Sequence, residues 1–214
     1  MSQTFVITGT DTGLGKTVFA TALVTALKGT YWKPVQAGLD DETDSETVVR
    51  LSARPVLPEA YRLALPASPH LAAEAEGIEI DTARLTLPIV EGALIVEGAG
   101  GVLVPLNRRI LYADLFARWQ APVILCARTR LGTINHSLTA IEALRTRGAP
   151  IHGIAFLGEA APAVEATICE FGKVKRLGRL PILPVLSRVA LSAAFCEGFG
   201  LEQFSALEPG QKAG

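Results

Sequence analysis

The residues best suited to chemistry come first in Gly9-Thr-Asp-Thr-Gly-Leu-Gly-Lys-Thr17. A glycine-rich turn turns successive backbone N–H groups toward an anion, and a helix that starts directly after it adds partial positive charge. The amides from Gly13 and Leu14 through Gly15, Lys16, Thr17 and Val18 form the candidate cradle. Lys16 can reach the β- and γ-phosphates of a nucleotide, and the Thr17 hydroxyl can ligate Mg²⁺. The usual G-x-x-x-x-G-K-[ST] spacing calls for glycine where Thr10 stands, so Gly9 is one residue early.

Other charged groups join this loop. Lys33 precedes Pro34, which presses it into extended backbone at a strand's end. Open α/β sheets place ligand contacts there, while a solvated surface group is the ordinary fate of a lone lysine. Asp40, Asp41, Glu42 and Asp44 crowd one acidic loop, and one of them could reach a metal at Thr17; spacing does not rank them. Glu97 closes the apolar run Ala93-Leu-Ile-Val, which carries its carboxylate to the sheet edge beside that metal. The following Gly98-Ala99-Gly100-Gly101 lets a ligand approach the backbone closely. Arg128 to Thr133 is a basic loop before a helix capped by Asn135, a place where a carboxylate could dock.

Such groups need a scaffold that gathers strand ends. Thr4–Thr8 reads as a buried strand, Val18–Lys28 as a helix stopped by Gly29, and Thr30–Val35 as a second strand. Ser45–Ser52 reads as a helix with Val48, Val49 and Leu51 inward, and the prolines at 55, 58, 66 and 69 make 53–69 an irregular connection. Ser68 and Pro69 open a helix bearing His70, and Asp81 caps a short one reaching Leu87. Ala93–Glu97, Pro122–Ala127 and Pro150–Leu157 are buried strands. Leu111–Gln120, Asn135–Arg147 and Ala161–Phe171 are helices, and Gly178–Pro181 leads to an edge strand. This alternation predicts an α/β fold, a mainly parallel doubly wound sheet with helices on both faces. One domain is expected over residues 1–207, with a frayed tail at 208–214.

Bulk composition narrows the function. Apolar residues make up 49% of the 214 and charged ones 19%, enough for a large core and too little charge for disorder. A net charge of −1 without blocks of one sign argues against nucleic acid or an anionic membrane as partner. No apolar run reaches spanning length, and Met1 to Thr4 leaves no room for a signal peptide before the first strand, so a cytoplasmic location is expected. Cys126, Cys169 and Cys196 are far apart in apolar company, which predicts buried thiols rather than a disulfide framework or zinc site.

Taken together, Gly9–Thr17, Lys33-Pro-Val35, Ser68-Pro-His70, Val96-Glu-Gly-Ala-Gly-Gly101 and Leu131-Gly-Thr-Ile-Asn-His136 resemble the dethiobiotin synthetase family, of P-loop NTPase type. Gly178-Arg-Leu-Pro181 is similar to a later turn of that family, and the pieces keep its order from residue 4 to about 183. The resemblance implies ATP-dependent ureido ring closure on 7,8-diaminopelargonic acid with CO₂ and MgATP, yielding dethiobiotin, ADP and phosphate. It implies that Lys16 and Lys33 flank the carbamate and the moving phosphoryl group, and that the Thr10 hydroxyl touches one or the other. It selects Asp44 from the acidic loop to hold Mg²⁺ with Thr17 and Glu97, and puts Gly98, Ala99 and Gly100 beside the substrate with Lys33. It further implies a homodimer with the active site at its interface, where Gly132, Thr133 and Asn135 bind the substrate carboxylate from the neighbouring subunit.

Two positions depart from the family pattern. Ala37 stands where a Ser or Thr usually assists the carbamate, and Leu157-Gly158 stands where an Asn-Asp pair usually reads the adenine edge. The second departure predicts weaker discrimination of ATP against other nucleoside triphosphates. Amide-forming synthetases of the cobyrinic acid diamide type share single motifs, but no glutaminase domain or cysteine nucleophile setting is present. Partition-type ATPase switches carry a second lysine early in the loop, where this chain has Thr10 and Asp11.

Overall fold

The structure is a computed structural model that describes residues 3–204. The tail expected at 208–214 lies outside the described residues. In chain order the elements are β1 (Gln3–Gly9), α1 (Lys16–Ala26), β2 (Thr30–Trp32), β3 (Val35–Ala37), α2 (Asp44–Ser52), β4 (Val56–Leu57), β5 (Tyr61–Leu63) and α3 (Pro69–Ala75). They continue with β6 (Ala93–Gly101), α4 (Tyr112–Trp119), β7 (Val123–Arg128), α5 (Thr133–Thr146), β8 (Ile151–Leu157), α6 (Pro162–Gly172), β9 (Arg176–Leu180) and α7 (Arg188–Gly198).

Seven strands form one sheet in the order β4-β2-β6-β1-β7-β8-β9, and all its strand pairings are parallel. Strand alternation explains why both faces are covered. On β1, Phe5 and Ile7 join one core with Phe19 and Leu23 of α1, Val48 of α2 and Phe195 of α7. Val6 points the other way, into a core with Tyr112 and Phe116 of α4, Ile141 and Leu144 of α5 and Ile168 of α6. Each large apolar side chain so withdrawn from water contributes about 1.5–3 kcal/mol. The sheet is therefore doubly wound, as expected, and its carboxyl edge is left free for ligands.

Several local expectations fail for identifiable reasons. The strand expected over Thr30–Val35 does end at Lys33-Pro34, the place expected for Lys33, but stops short of Val35, because proline has no N–H to continue the ladder. The second half, β3, pairs instead with β5 in a separate two-stranded sheet. Residues 53–69 thus hold two short strands, β4 and β5, that proline-rich composition conceals. Val49 is 52% exposed rather than inward, since the α2 stripe runs through Val48 and Leu51. Gly29 does not itself supply the left-handed stop after α1; Lys28 does, with φ 52°. A Cβ at Gly29 would lie 2.6 Å from the Ala93 carbonyl, so this glycine serves close packing. Helix α5 begins at Thr133, not after Asn135, with Gly132 in the cap position at φ 91°. Only Cys126 of the three cysteines is buried; Cys169 is half-buried and Cys196 exposed, and all are free.

Candidate active site

Three neighbouring strands converge on the site. Ile7 of β1 lies opposite Glu97 of β6, and Val96 lies opposite Trp32 of β2, one residue before Lys33. Beyond Glu97, β6 bows outward: the next paired residues are Gly9 and Gly101, so Gly98 to Gly100 have only Thr8 opposite them. The strand thus runs past Glu97 to Gly101, longer than the apolar run suggests.

The phosphate loop follows β1 directly. Gly13 and Gly15 take φ values of 64° and 105°, a region that side chains with a Cβ resist. A Cβ at Gly9 would meet Leu14 Cδ2 at 2.8 Å, which explains a glycine one place ahead of the usual spacing. The Arg128 guanidinium donates to Thr12 O at 2.9 Å and ties the loop to the end of β7. Lys16 folds inward and donates to Asp11 O at 2.8 Å. Burial pushes its pKa below the ordinary lysine value, against the pull of Glu97.

Around Lys33 the charges interlock. Its ammonium, only 4% exposed as a residue, lies 2.5 Å from Asp44 Oδ2, 3.3 Å from Glu97 Oε1 and 3.3 Å from the Gly98 carbonyl. Burial alone would favour the neutral amine, but Glu97 and Asp44 outweigh it and hold the Lys33 pKa above its usual range. Burial also works against the Asp44 carboxylate, and the Lys33 ammonium overcomes it, so the Asp44 pKa is lowered. Burial raises that of Glu97, which is 1% exposed. Asp44 is held in place by the start of α2, where Thr43 Oγ1 accepts from the Glu46 N–H and Glu46 accepts from the Thr43 N–H.

The Thr17 hydroxyl lies 2.6 Å from Asp44 Oδ1 and 2.9 Å from Glu97 Oε1. One hydroxyl proton cannot serve two carboxylates, and an oxygen-seeking cation among these three groups would relieve the crowding. Hard oxygen donors of this kind suit Mg²⁺, which takes one or two carboxylates and completes its shell with phosphate and water. No group of three or more His, Cys, Asp or Glu that could hold a metal occurs among the described residues, so this is not a self-sufficient protein cage. The donor set therefore fits a cation that arrives with a nucleotide.

Two cavities open side by side and share Gly13 and Gly15 in their walls. One, about 540 Å³, is lined by Lys16, Thr17, Lys33, Asp44 and Glu97, with Gln36, Ala37, Ala99 and Gly100 completing much of its wall. The other, about 510 Å³, is bounded by Leu14, Val18, Leu157, Leu180, Pro181 and Ile182, with Arg128, Arg130 and Glu159 as charged lining residues. The expected site residues divide accordingly. The loop residues, Lys33, Asp44, Glu97, Ala99 and Gly100 come together; Gly98 contributes its carbonyl to Lys33 without lining either cavity. Thr10 also lines neither, and its N–H donates to Cys126 O at 3.1 Å. Gly132 and Asn135 are exposed and outside both cavities, while Thr133 is buried and donates to Arg128 O at 2.5 Å.

Sequence reasoning passed over Tyr31 as a site residue. Its hydroxyl, fully buried, donates to Glu97 Oε2 at 2.9 Å and leaves Oε1 facing Thr17 and Lys33. Burial, then the Glu97 charge, raises its pKa well above the usual range, so it remains a donor. The available signal was a tyrosine in a buried strand two residues before Lys33, whose hydroxyl must find a partner.

Comparison with known proteins agrees with this geometry. A sequence family described as an AAA domain matches residues 3–190. The ATP-dependent dethiobiotin synthetase BioD of Nitrobacter hamburgensis is 60% identical over 207 residues, covering 95% of this chain and 98% of its own. The protein of the same name from Sphingopyxis alaskensis is 60% identical over 200 residues, covering 94% and 98%, and that of Agrobacterium fabrum 57% over 207, covering 95% and 98%. Among solved structures, the Pyrococcus furiosus cell division ATPase MinD superposes with a TM-score of 0.54 at 14% identity, covering 92% of this chain and 99% of that one. At that identity the likeness extends to the fold alone.

Proposed function

The chain belongs to the AAA domain family and, within it, to the ATP-dependent dethiobiotin synthetases, and from that premise we propose how its residues divide the work. The reaction is ATP-dependent closure of the ureido ring on diaminopelargonic acid, a ligase step of biotin synthesis. An amine of the substrate attacks CO₂ and loses a proton to become a carbamate. A carbamate oxygen then attacks the γ-phosphorus and ADP leaves. The second amine attacks the activated carbonyl carbon, phosphate leaves, and the ring closes.

Phosphoryl transfer of this kind needs placed charge and alignment more than covalent help. The observation that supports our assignment best is the Lys33 ammonium, buried between Asp44 and Glu97 in the wall of the cavity that also holds Lys16. Lys33 stays cationic and faces the carbamate; Lys16 leaves Asp11 O and turns to the β- and γ-phosphates. Amides from Gly13 to Val18 cradle the phosphates, and the nucleoside lies in the neighbouring apolar cavity. Thr17, Asp44 and Glu97 are the residues that would hold Mg²⁺, which when bound neutralises charge on the phosphate oxygens. Ala99 and Gly100 form the wall against which the diamine lies, the Gly98 carbonyl holds the Lys33 ammonium, and the Thr10 hydroxyl serves the carbamate or the γ-phosphate.

A homodimer completes the reading. Leu131 is fully exposed, and from it to Asn135 the chain lines neither cavity, so Gly132, Thr133 and Asn135 would meet the substrate carboxylate of the partner subunit through the amides that start α5. Work in the cytoplasm belongs to the same reading, supported by three free cysteines. Among the described residues no helix is long and apolar enough to cross a membrane. Incorporation of labelled bicarbonate into acid-stable product, with diaminopelargonic acid and MgATP, is the direct test. Label that appears only when both substrates are present is expected; label absent under those conditions removes the assignment.

A further inference from the structure

Ala37 removes a hydroxyl from the substrate cavity, and the residue before it supplies a polar group of another kind. Gln36 is 7% exposed and lines the 540 Å³ cavity together with Lys33 and Ala37. Its Nε2 lies 3.2 Å from the Ala37 carbonyl and 3.2 Å from the Gly38 carbonyl, so both amide protons have acceptors. A flipped carboxamide would set its oxygen against those two carbonyls, which fixes its sense. The oxygen, Oε1, is buried and has no donor among the described residues.

A buried acceptor without a donor is costly, and native structures rarely leave one without a reason. Ser45 Oγ and the Tyr112 hydroxyl share this condition, but of the three only Gln36 belongs to the cavity wall. Other polar groups in that wall already have partners: Lys33 has Asp44 and Glu97, Thr17 has the same two, and Lys16 has Asp11 O. What Gln36 lacks is a donor. Neither CO₂ nor a fully ionised triphosphate tail offers one. A diamine offers N–H groups, before and after one nitrogen has become a carbamate.

We propose that the Gln36 carboxamide oxygen accepts a hydrogen bond from a nitrogen of the bound diamine. Gln36 is then a substrate-contact residue that fixes which nitrogen stands beside Lys33, a role taken in the absence of a hydroxyl at position 37. The inference rests on reading this cavity as the diamine site. Gln36→Met keeps the length of the side chain and removes the oxygen; Gln36→Ala does the same for a wall that cannot accept Met. In either variant the KM for the diamine rises about tenfold, the size expected for a lost polar contact with substrate, while the KM for ATP stays within about twofold.

A second readout comes from competition by the two monoamines, 7-aminononanoate and 8-aminononanoate, against the diamine. Loss of the Gln36 oxygen weakens one of them and spares the other. An unchanged diamine KM, an equal rise for diamine and ATP, or equal weakening of both monoamines would overturn the proposal. Failure of the wild-type protein to form dethiobiotin would strike the diamine reading itself, and the two failures are separately visible.

Discussion

The two cavities that share the phosphate loop are built on opposite principles. At one end, Lys16, Lys33 and Glu97 are withdrawn from water, Asp44 is half-buried, and all four are paired with named partners. At the other, Leu157, Leu180, Pro181 and Ile182 offer mainly apolar contact. The charged end is assembled from the ends of β1, β2 and β6 and the starts of α1 and α2; the apolar end comes largely from the segments after β8 and β9. Charges aimed at a transition state must not reorganise during the reaction, and a buried setting strengthens each of them. Apolar contact is non-directional and tolerates changes of shape. On the proposed reading, the chemistry is held by rigid geometry, whereas the nucleoside is held largely by surface.

The largest expected effect breaks the charged end. Lys33→Ala removes the cation proposed to face the carbamate and leaves Asp44 and Glu97 without the ammonium between them. We expect kcat to fall by roughly 10²–10³ or more, the scale of losing one preorganised electrostatic group. The far-ultraviolet dichroism should remain that of a folded α/β protein, with a lower melting temperature, because an unmatched buried carboxylate is costly. Turnover within tenfold of wild type would take Lys33 out of the reaction.

A smaller effect is expected one step back from the chemistry. Tyr31→Phe keeps the ring in the core and deletes the donor to Glu97 Oε2. Leaving that buried oxygen unmatched costs about 1–3 kcal/mol, and Glu97 loses the contact that orients it. About a tenfold fall in kcat is expected, with little change in the KM for ATP. The apparent affinity for activating Mg²⁺ should weaken with it. Unchanged metal dependence and unchanged kcat would mean that Thr17 and Lys33 orient Glu97 without help.

The phosphate loop and the sheet were legible because both are local patterns. Glycine spacing, the following lysine and threonine, and alternation along β1 need no knowledge of distant contacts. Asp44 was not distinguishable from Asp40, Asp41 and Glu42 by spacing; resemblance chose it, and the Thr43–Glu46 capping pair is the physical reason it points inward. The contact of Tyr31 with Glu97 joins residues 66 apart in sequence, which no periodicity encodes. Strands β4 and β5 are two and three residues long, too short to show a period. Helix α7, by contrast, carried a readable start: Ser187 caps the Ala190 N–H before an apolar run, a signal the strand-by-strand reading passed over.

The smallest expected effect tests the apolar end. Gly158 takes φ 129°, donates its N–H to Leu180 O at 2.9 Å and accepts from Arg179 at 2.8 Å. Its backbone groups are therefore occupied, and Leu157 beside it has no polar side chain to read a base edge. Glu159 is the acidic side chain in this wall, and it is exposed. A hydrophobic pocket rejects a near-isosteric ligand only weakly, by about 10–200-fold at most, whereas sites that hydrogen-bond a group reject its absence by far more. We therefore expect kcat/KM for CTP and GTP to lie within about tenfold of that for ATP, near the weak end of that range. Leu157→Asn, which offers an amide to the base edge, should widen the ratio in favour of ATP. A wild-type preference for ATP of about a thousandfold or more would show that this end, too, depends on directed polar contacts, and the contrast between the two cavities would fail.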